Sequence, residues 1–319
     1  MTADVQGTMT QEMLQLVEEY FQEEDLVKML QAFIVEKAEE GGVWSSLTRS
    51  THYMLGGSSI EIDRAAALTE IFVLLSDIVD DLQDRDNFQK VWMRYPEAEV
   101  LSAVLALHAI VIAELPKLGI APRWWTETGK LLARAIDGQH WDVKKGVHSE
   151  EAYIAMVTQK SGSLIRLALM MGYALVDDLK QEVIDRLNEL ADCIGIAAQL
   201  TNDIRDVTRW DEKSDLLMKK RTLPILFMLQ DSPEEFPVLA QYYEGEVSTE
   251  QFLAMKADCL QFIGDSGCIE YSQVIRGLCA DKAQELLEAI PGISPWKERF
   301  EELAVGQFQC KAKNGGAIA

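Results

Sequence analysis

Proline and glycine are scarce in this chain of 319 residues, 8 and 20 respectively, and the prolines stand singly. That shortage argues against a turn-rich sandwich or barrel and favours helices. Cysteine is thin as well: Cys193, Cys259, Cys268, Cys279 and Cys310 show no C-x-x-C spacing. An odd, scattered set argues against a disulfide framework and a zinc site, so reduced and mostly buried thiols are expected. The four histidines (His52, His108, His140, His148) are just as dispersed. Positive charge is short: 30 Lys and Arg face 52 Asp and Glu, a formal net charge of −22. Such a surface repels nucleic acid and anionic membranes. It would also repel an anionic substrate unless metal ions or local cations reversed the field. No apolar run is read as reaching the ~20 residues that span a bilayer. The first residues, MTADVQGTMTQEM, carry no leader signature. A cytoplasmic protein with no transmembrane segment and no nucleic-acid partner is expected.

What the chain does have is helical periodicity and material for a core, 48% hydrophobic residues. Apolar spacing at three and four residues predicts helices over 9–39, 60–86, 98–115, 123–145, 150–175, 178–210, 218–231, 249–264 and 268–290. Turn signals such as GG at 41–42, GGSS at 56–59 and GIAP at 119–122 separate them. One all-α domain over residues 1–309 is expected, with a small polar tail over 310–319.

Two acidic clusters interrupt this pattern. DIVDDLQDRD, residues 77–86, follows the apolar run IFVLL, and QLTNDIRD, residues 199–206, follows CIGIAA. On a helix Asp80 and Asp84 share a face, and Asp77 lies one turn earlier. Asp203 and Asp206 are three apart, with Asn202 and Gln199 beside them or one turn back. Like charges at that spacing destabilise a helix slightly, and hard divalent cations would reverse the sign. Magnesium takes oxygen ligands and keeps water and phosphate in its shell. One such cluster in an acidic protein is most simply a solvated helix face. Two, each ending an apolar segment, suggest facing helices with carboxylates at the mouth of a deep apolar cavity. Such a cavity suits a ligand with a diphosphate head and a hydrocarbon tail, burial contributing ~0.8 kcal/mol per CH₂.

These residues resemble the trans-isoprenyl diphosphate synthase superfamily, whose signature is DDxxD on one helix and (D/N)DxxD on another. Here the motifs read Asp80-Asp81-Leu82-Gln83-Asp84 and Asn202-Asp203-Ile204-Arg205-Asp206. GQHWD (138–142), KSG (160–162), SDLLMKKRTLP (214–224) and GCIEYSQVIRGLCADKAQELLEAIP (267–291) follow in the family's order. The resemblance implies the isoprenoid synthase fold, a homodimer, and an allylic isoprenoid diphosphate as substrate. It implies Mg²⁺, three ions with substrate bound, held by Asp80, Asp84 and Asp203, with Asp81, Asn202 and Asp206 in support. Lys160 and Lys220 would contact the diphosphate, and Gln139 and Gln199 would line the site. Leu75 and Ser76 stand where short-chain members carry a bulky pocket floor, which implies room for fifteen carbons or more.

Chain-elongating members also hold a second, homoallylic diphosphate, using GGKR before the first motif and paired arginines after it. The corresponding residues are read as Ser58 and Ser59 of GGSS, and as Gln89 and Lys90. LLSDIVDDLQDRDNFQKVWM, GQHWD and KSGSLIRLALMMG resemble the ComQ-type isoprenyl transferases, which modify a tryptophan of a pheromone precursor. That resemblance implies a peptide acceptor. Asp77, expected on the pocket side one turn deeper than the metal ligands, is a candidate base; its alternative is a bond to a neighbouring helix. The intact second cluster also fits a terpene synthase that cyclises its own prenyl diphosphate. A polyprenyl diphosphate synthase using isopentenyl diphosphate and a non-catalytic prenyl-diphosphate-binding subunit complete the alternatives.

Overall fold

The structure, a computed structural model, describes residues 2–211, 213–306 and 308, with side chains described outside 2–6 and 231–233. Cys310 and the tail expected over 310–319 lie outside the described residues. The described elements are helical: α1 (Thr2–Tyr20), α2 (Glu24–Glu39), α3 (Val43–Met54), α4 (Ile62–Asp84), α5 (Glu97–Glu114), α6 (Pro122–Val143), α7 (Glu150–Val157), α8 (Ser163–Tyr173), α9 (Gln181–Asp206), α10 (Leu223–Glu235), α11 (Pro237–Glu244), α12 (Thr249–Ala254), α13 (Lys256–Asp265), α14 (Cys268–Ala289) and α15 (Trp296–Ala304). A π-helical turn, Thr158–Gly162, joins α7 to α8.

The helix expected over 9–39 is two. The chain breaks after Tyr20, and Glu23 caps α2 by accepting from the backbone N–H of Leu26 at 2.6 Å. Helix α3 was not expected, because RSTHY is poor in strong helix formers. It forms because its polar face is buried with partners: Thr48 Oγ1 donates to Ala168 O at 2.9 Å, and His52 Nδ1 bonds Gly172 O at 3.0 Å. Gly172 has no room for a side chain, since a Cβ there would lie 2.3 Å from Thr48 O. The stretch expected to be helical from 218 starts at Leu223, and the one over 249–264 divides at Met255.

Helices α3, α4, α6, α8 and α9 pack around one another, and α14 lies along α9. Ala65, Leu68, Ile71, Phe72 and Leu75 of α4 are buried in the main core. The 22 residues Glu97–Leu118 depart from the expectation of no span-length apolar run: by length and composition they could cross a membrane, and half of their most apolar 18-residue window is buried in this protein.

The loop Leu55–Ser59 corrects another expectation. It opens α4, whereas Asp80 and Asp84 close it, so about 27 Å of helix separates Ser59 from Asp80 at 1.5 Å per residue. Ser59 N–H donates to His52 Nε2 at 3.1 Å, and the loop lines a cavity with 118–124 and 174–178. Ser58 and Ser59 therefore do not face the acidic cluster.

Candidate active site

Both acidic motifs close a helix, α4 ending at Asp84 and α9 at Asp206. The C-terminal end of a helix carries partial negative charge, so carboxylates there meet the dipole's repulsion as well as their own. Two such ends brought together call for cations. Lys160, in the π-helical turn, lies 3.0 Å from Asp80 and 2.8 Å from Asp142. Lys220 lies 2.6 Å from Asp84. Burial disfavours charge on both lysines, but the carboxylates outweigh it and raise both pKa values. Burial likewise opposes ionisation of Asp80, yet Lys160, Lys220 and Gln139 hold its carboxyl below the usual range.

The second motif faces the same space. Asp203 is buried and accepts from Tyr153 Oη at 2.5 Å and Gln199 Nε2 at 2.8 Å. Burial pushes its pKa to about 6 despite those bonds. A polar cavity of about 160 Å³ is lined by Lys160, Lys220, Asn202, Asp203, Asp206 and Asp215, among others. Asp206 also pairs with Arg205 at 2.7 Å. Gln139 donates to Gln83 at 3.0 Å, and its own Oε1 is buried without a partner. Of the run KKR, only Lys220 reaches the carboxylates; Lys219 and Arg221 turn to the rings of Tyr242 and Tyr243, at 4.3 and 5.6 Å.

Two expectations change. Asp81 turns away from the cavity: Trp92 Nε1 donates to it at 2.8 Å and Asn87 Nδ2 at 2.5 Å, so it anchors the 85–95 loop. Asp77 faces α2 rather than the depth of the pocket, with Lys37 Nζ 2.6 Å away. Burial pushes its pKa to about 6 against that lysine. Leu75 is buried in the core and Ser76 donates to Phe72 O at 2.9 Å.

Asp142, Tyr153, Asp215 and Thr222 are site residues that sequence reasoning missed. Asp142 and Asp215 belong to segments already singled out, GQHWD and SDLLMKKRTLP. Tyr153 had no local signal, because its bond to Asp203 spans fifty residues.

Glycines set the geometry. A Cβ on Gly138 would fall 2.4 Å from Lys160 N, and one on Gly195 2.7 Å from Gly162 Cα. Helices α6 and α9 thus approach the π-helical turn backbone to backbone, and that contact fixes where Lys160 starts. π-bulges recur at functional sites.

The donor set suits a hard cation. Asp215 Oδ2 and Thr222 Oγ1 are buried at the cavity without a partner, and the neighbouring donors are carboxylate and amide oxygens. Among the described residues no three acidic, histidine or cysteine side chains form a complete metal cage. Magnesium sites commonly leave that completion to water and substrate phosphates.

Residues 45–258 match the polyprenyl synthetase family model. The chain is 30% identical over 312 residues to a tryptophan prenyltransferase, ComQ, of Bacillus subtilis, covering 94% of this chain and all of that protein. It is 25% identical over 224 residues to heptaprenyl diphosphate synthase component 2 of Geobacillus stearothermophilus, covering 67% and 68% of the two chains. Among solved structures, a Caulobacter crescentus polyprenyl synthase complexed with calcium and isoprenyl diphosphate superposes with a TM-score of 0.80 at 18% identity, covering 97% of this chain and 94% of that one. The chain belongs to the polyprenyl synthetase family, with the all-α isoprenoid synthase fold, and is an isoprenyl transferase.

Proposed function

We propose that this enzyme ionises an allylic isoprenoid diphosphate with the help of magnesium and transfers the prenyl group to a tryptophan of a peptide. The observation that carries the first half is the pair of lysines: Lys160 and Lys220 each join a carboxylate of the first motif to the cavity lined by the second. The relationship to tryptophan prenyltransferases over most of the chain supports the acceptor.

Asp80, Asp84, Asp203 and Asp206, with Asn202, are the residues that would hold magnesium, three ions with substrate bound. Magnesium supplies a hard Lewis acid that neutralises charge developing on the leaving diphosphate. Lys160 and Lys220 donate hydrogen bonds to the diphosphate oxygens as the C1–O bond breaks and the electron pair leaves with oxygen. An indole carbon attacks the allylic cation, a C–C bond forms, and the indolium cation that results gives up a proton. Asp77, with a pKa of about 6, suits a base at neutral pH. Its bond to Lys37 orients it at the α2 flank of the mouth. Two copies are inferred to pair through the uncovered apolar face of α5, and the cytoplasm is the inferred location.

The intact second cluster favours a second reading, a polyprenyl diphosphate synthase that uses isopentenyl diphosphate, in line with the match to heptaprenyl diphosphate synthase component 2. One experiment separates them. The protein is incubated with Mg²⁺ and labelled geranyl, farnesyl or geranylgeranyl diphosphate, with a tryptophan peptide, with isopentenyl diphosphate, and alone. Label on the peptide supports the proposal. Longer diphosphates support the second reading, and volatile hydrocarbon from the donor alone would make it a cyclase.

A further inference from the structure

The last turns of α4 have two flanks. Asp80 and Asp84 face Lys160 and Lys220, where the donor diphosphate is proposed to bind. Asp77 faces α2 and the loop that follows α4. Asp77 and Asp80 side chains are 38% and 41% exposed, so both flanks reach solvent. An acceptor that reaches the allylic carbon without displacing the donor diphosphate therefore comes past the α2 flank. Its charge must suit what it meets there.

That flank carries Lys37 and Lys90, and a doubly ionised acceptor would seem at home beside them. Neither lysine is free. Lys37 Nζ lies 2.6 Å from Asp77 and 2.5 Å from Glu40. Lys90 Nζ lies 2.8 Å from Glu40 and 3.6 Å from Glu36, and Glu36 is fixed in turn by accepting from Val91 N–H at 2.7 Å. Glu40 is the hub: Oε2 takes Lys37 and Oε1 takes Lys90. Three carboxylates against two ammonium groups leave the flank net negative, and Asp80 adds to it. Lys37 is buried while Glu40 is exposed, so solvent screens this field only in part.

We propose that Glu40 determines acceptor specificity: by holding Lys37 and Lys90 together it turns away acceptors bearing a diphosphate and reserves the flank for a neutral or cationic one. This rests on the tryptophan-transfer reading and deepens it, naming an uncharged or basic peptide segment as the acceptor class. Glu40 acts through the two lysines and is a positioning residue; it does not touch the reacting atoms.

The test is an internal competition. Full-length protein receives Mg²⁺, labelled farnesyl diphosphate, a short tryptophan peptide of net charge +1 and isopentenyl diphosphate in the same tube. The ratio of prenylated peptide to elongated diphosphate is read for wild type, Glu40→Gln and Glu40→Lys. Loss of folded protein cancels from that ratio, so a merely structural role for Glu40 leaves it unmoved. We expect peptide to dominate in wild type, the ratio to fall at least tenfold in Glu40→Lys, and Glu40→Gln to lie between. Wild type that labels peptide, with an unmoved ratio in Glu40→Lys, overturns the role of Glu40 alone. Wild type that elongates, or releases only hydrocarbon or alcohol, while leaving peptide untouched overturns the acceptor reading and this inference with it.

Discussion

Lys160 and Lys220 show why single residues matter here: each cation satisfies a partly buried carboxylate that would otherwise sit unpaired at the wrong end of a helix dipole. Asp80→Asn should lower Mg²⁺-dependent pyrophosphate release from farnesyl diphosphate roughly 10²-fold or more, the order found when one preorganised electrostatic partner is removed. Unchanged release in a folded variant would remove Asp80 from the metal site. Asp203 gives a pH prediction. Its pKa of about 6 lies above the ordinary ~3.9, so between those values the folded chain holds a proton that the unfolded chain has lost. That contribution to stability is present at low pH and is lost as pH rises through 6. Cation binding needs the ionised form and must expel the proton. The rise in melting temperature on adding Mg²⁺ with inorganic pyrophosphate should therefore grow from pH 5.5 to 7.5, and Asp203→Asn should flatten it. Asp80, Asp84 and Asp203 were legible because their spacing on a helix is a local property. Asp142, Tyr153 and Asp215 join them through contacts across the fold, which no window of sequence contains.

At the scale of elements, the glycine contacts make the sharpest claim. Gly138→Ala would drive a methyl group into the backbone of the π-helical turn at 2.4 Å, and backbone cannot swing aside as a flexible side chain can. We expect a loss of ~1–3 kcal/mol or more in urea unfolding, with activity falling further than stability because Lys160 moves with the turn. Helix α3 shows where sequence reading falls short. Its polar, β-branched stretch argues locally against a helix, and only burial against α8 reverses that. The same burial produces a stability signal. His52 is fully buried, and burial lowers its pKa although the Gly172 carbonyl opposes the shift. As pH falls below the ordinary ~6.5 the unfolded chain takes the proton first, so this contribution is present above 6.5 and lost below it. Wild type minus His52→Gln in denaturant midpoint, measured from pH 7.5 to 5.5, should shrink as pH falls. The GGSS loop is a different case: it precedes the helix predicted over 60–86 and the acidic motif ends that helix, so helix length alone separates the two.

For the whole molecule, the question is what covers α5. Leu101, Leu105 and Ile112 are 49%, 70% and 71% exposed and lie on one face at helical spacing, with no charged residue between Val100 and Ala113. On α6, the next long helix in the chain, Trp125 and Ile136 are also exposed. An apolar surface of this kind marks an interaction site, and pairing α5 and α6 with their copies would supply a self-complementary patch with two-fold symmetry. A stable dimer needs about 800 Å² per partner, and the exposed apolar face of the 18-residue α5 would form the centre of such a contact. Against this stands a net charge of −22 on each copy. At 0.1 M salt the Debye length is about 10 Å, so repulsion between two acidic surfaces is only partly screened. Hydrophobic burial would set such a contact and ionic strength would tune it. Analytical ultracentrifugation should therefore find a dimer whose dissociation constant falls as sodium chloride rises from 0.05 to 0.5 M. Leu105→Glu with Ile112→Glu should give a monomer with unchanged helical circular dichroism. A wild-type chain that is monomeric at micromolar concentration in 0.5 M salt would leave the α5 face without the partner assigned to it.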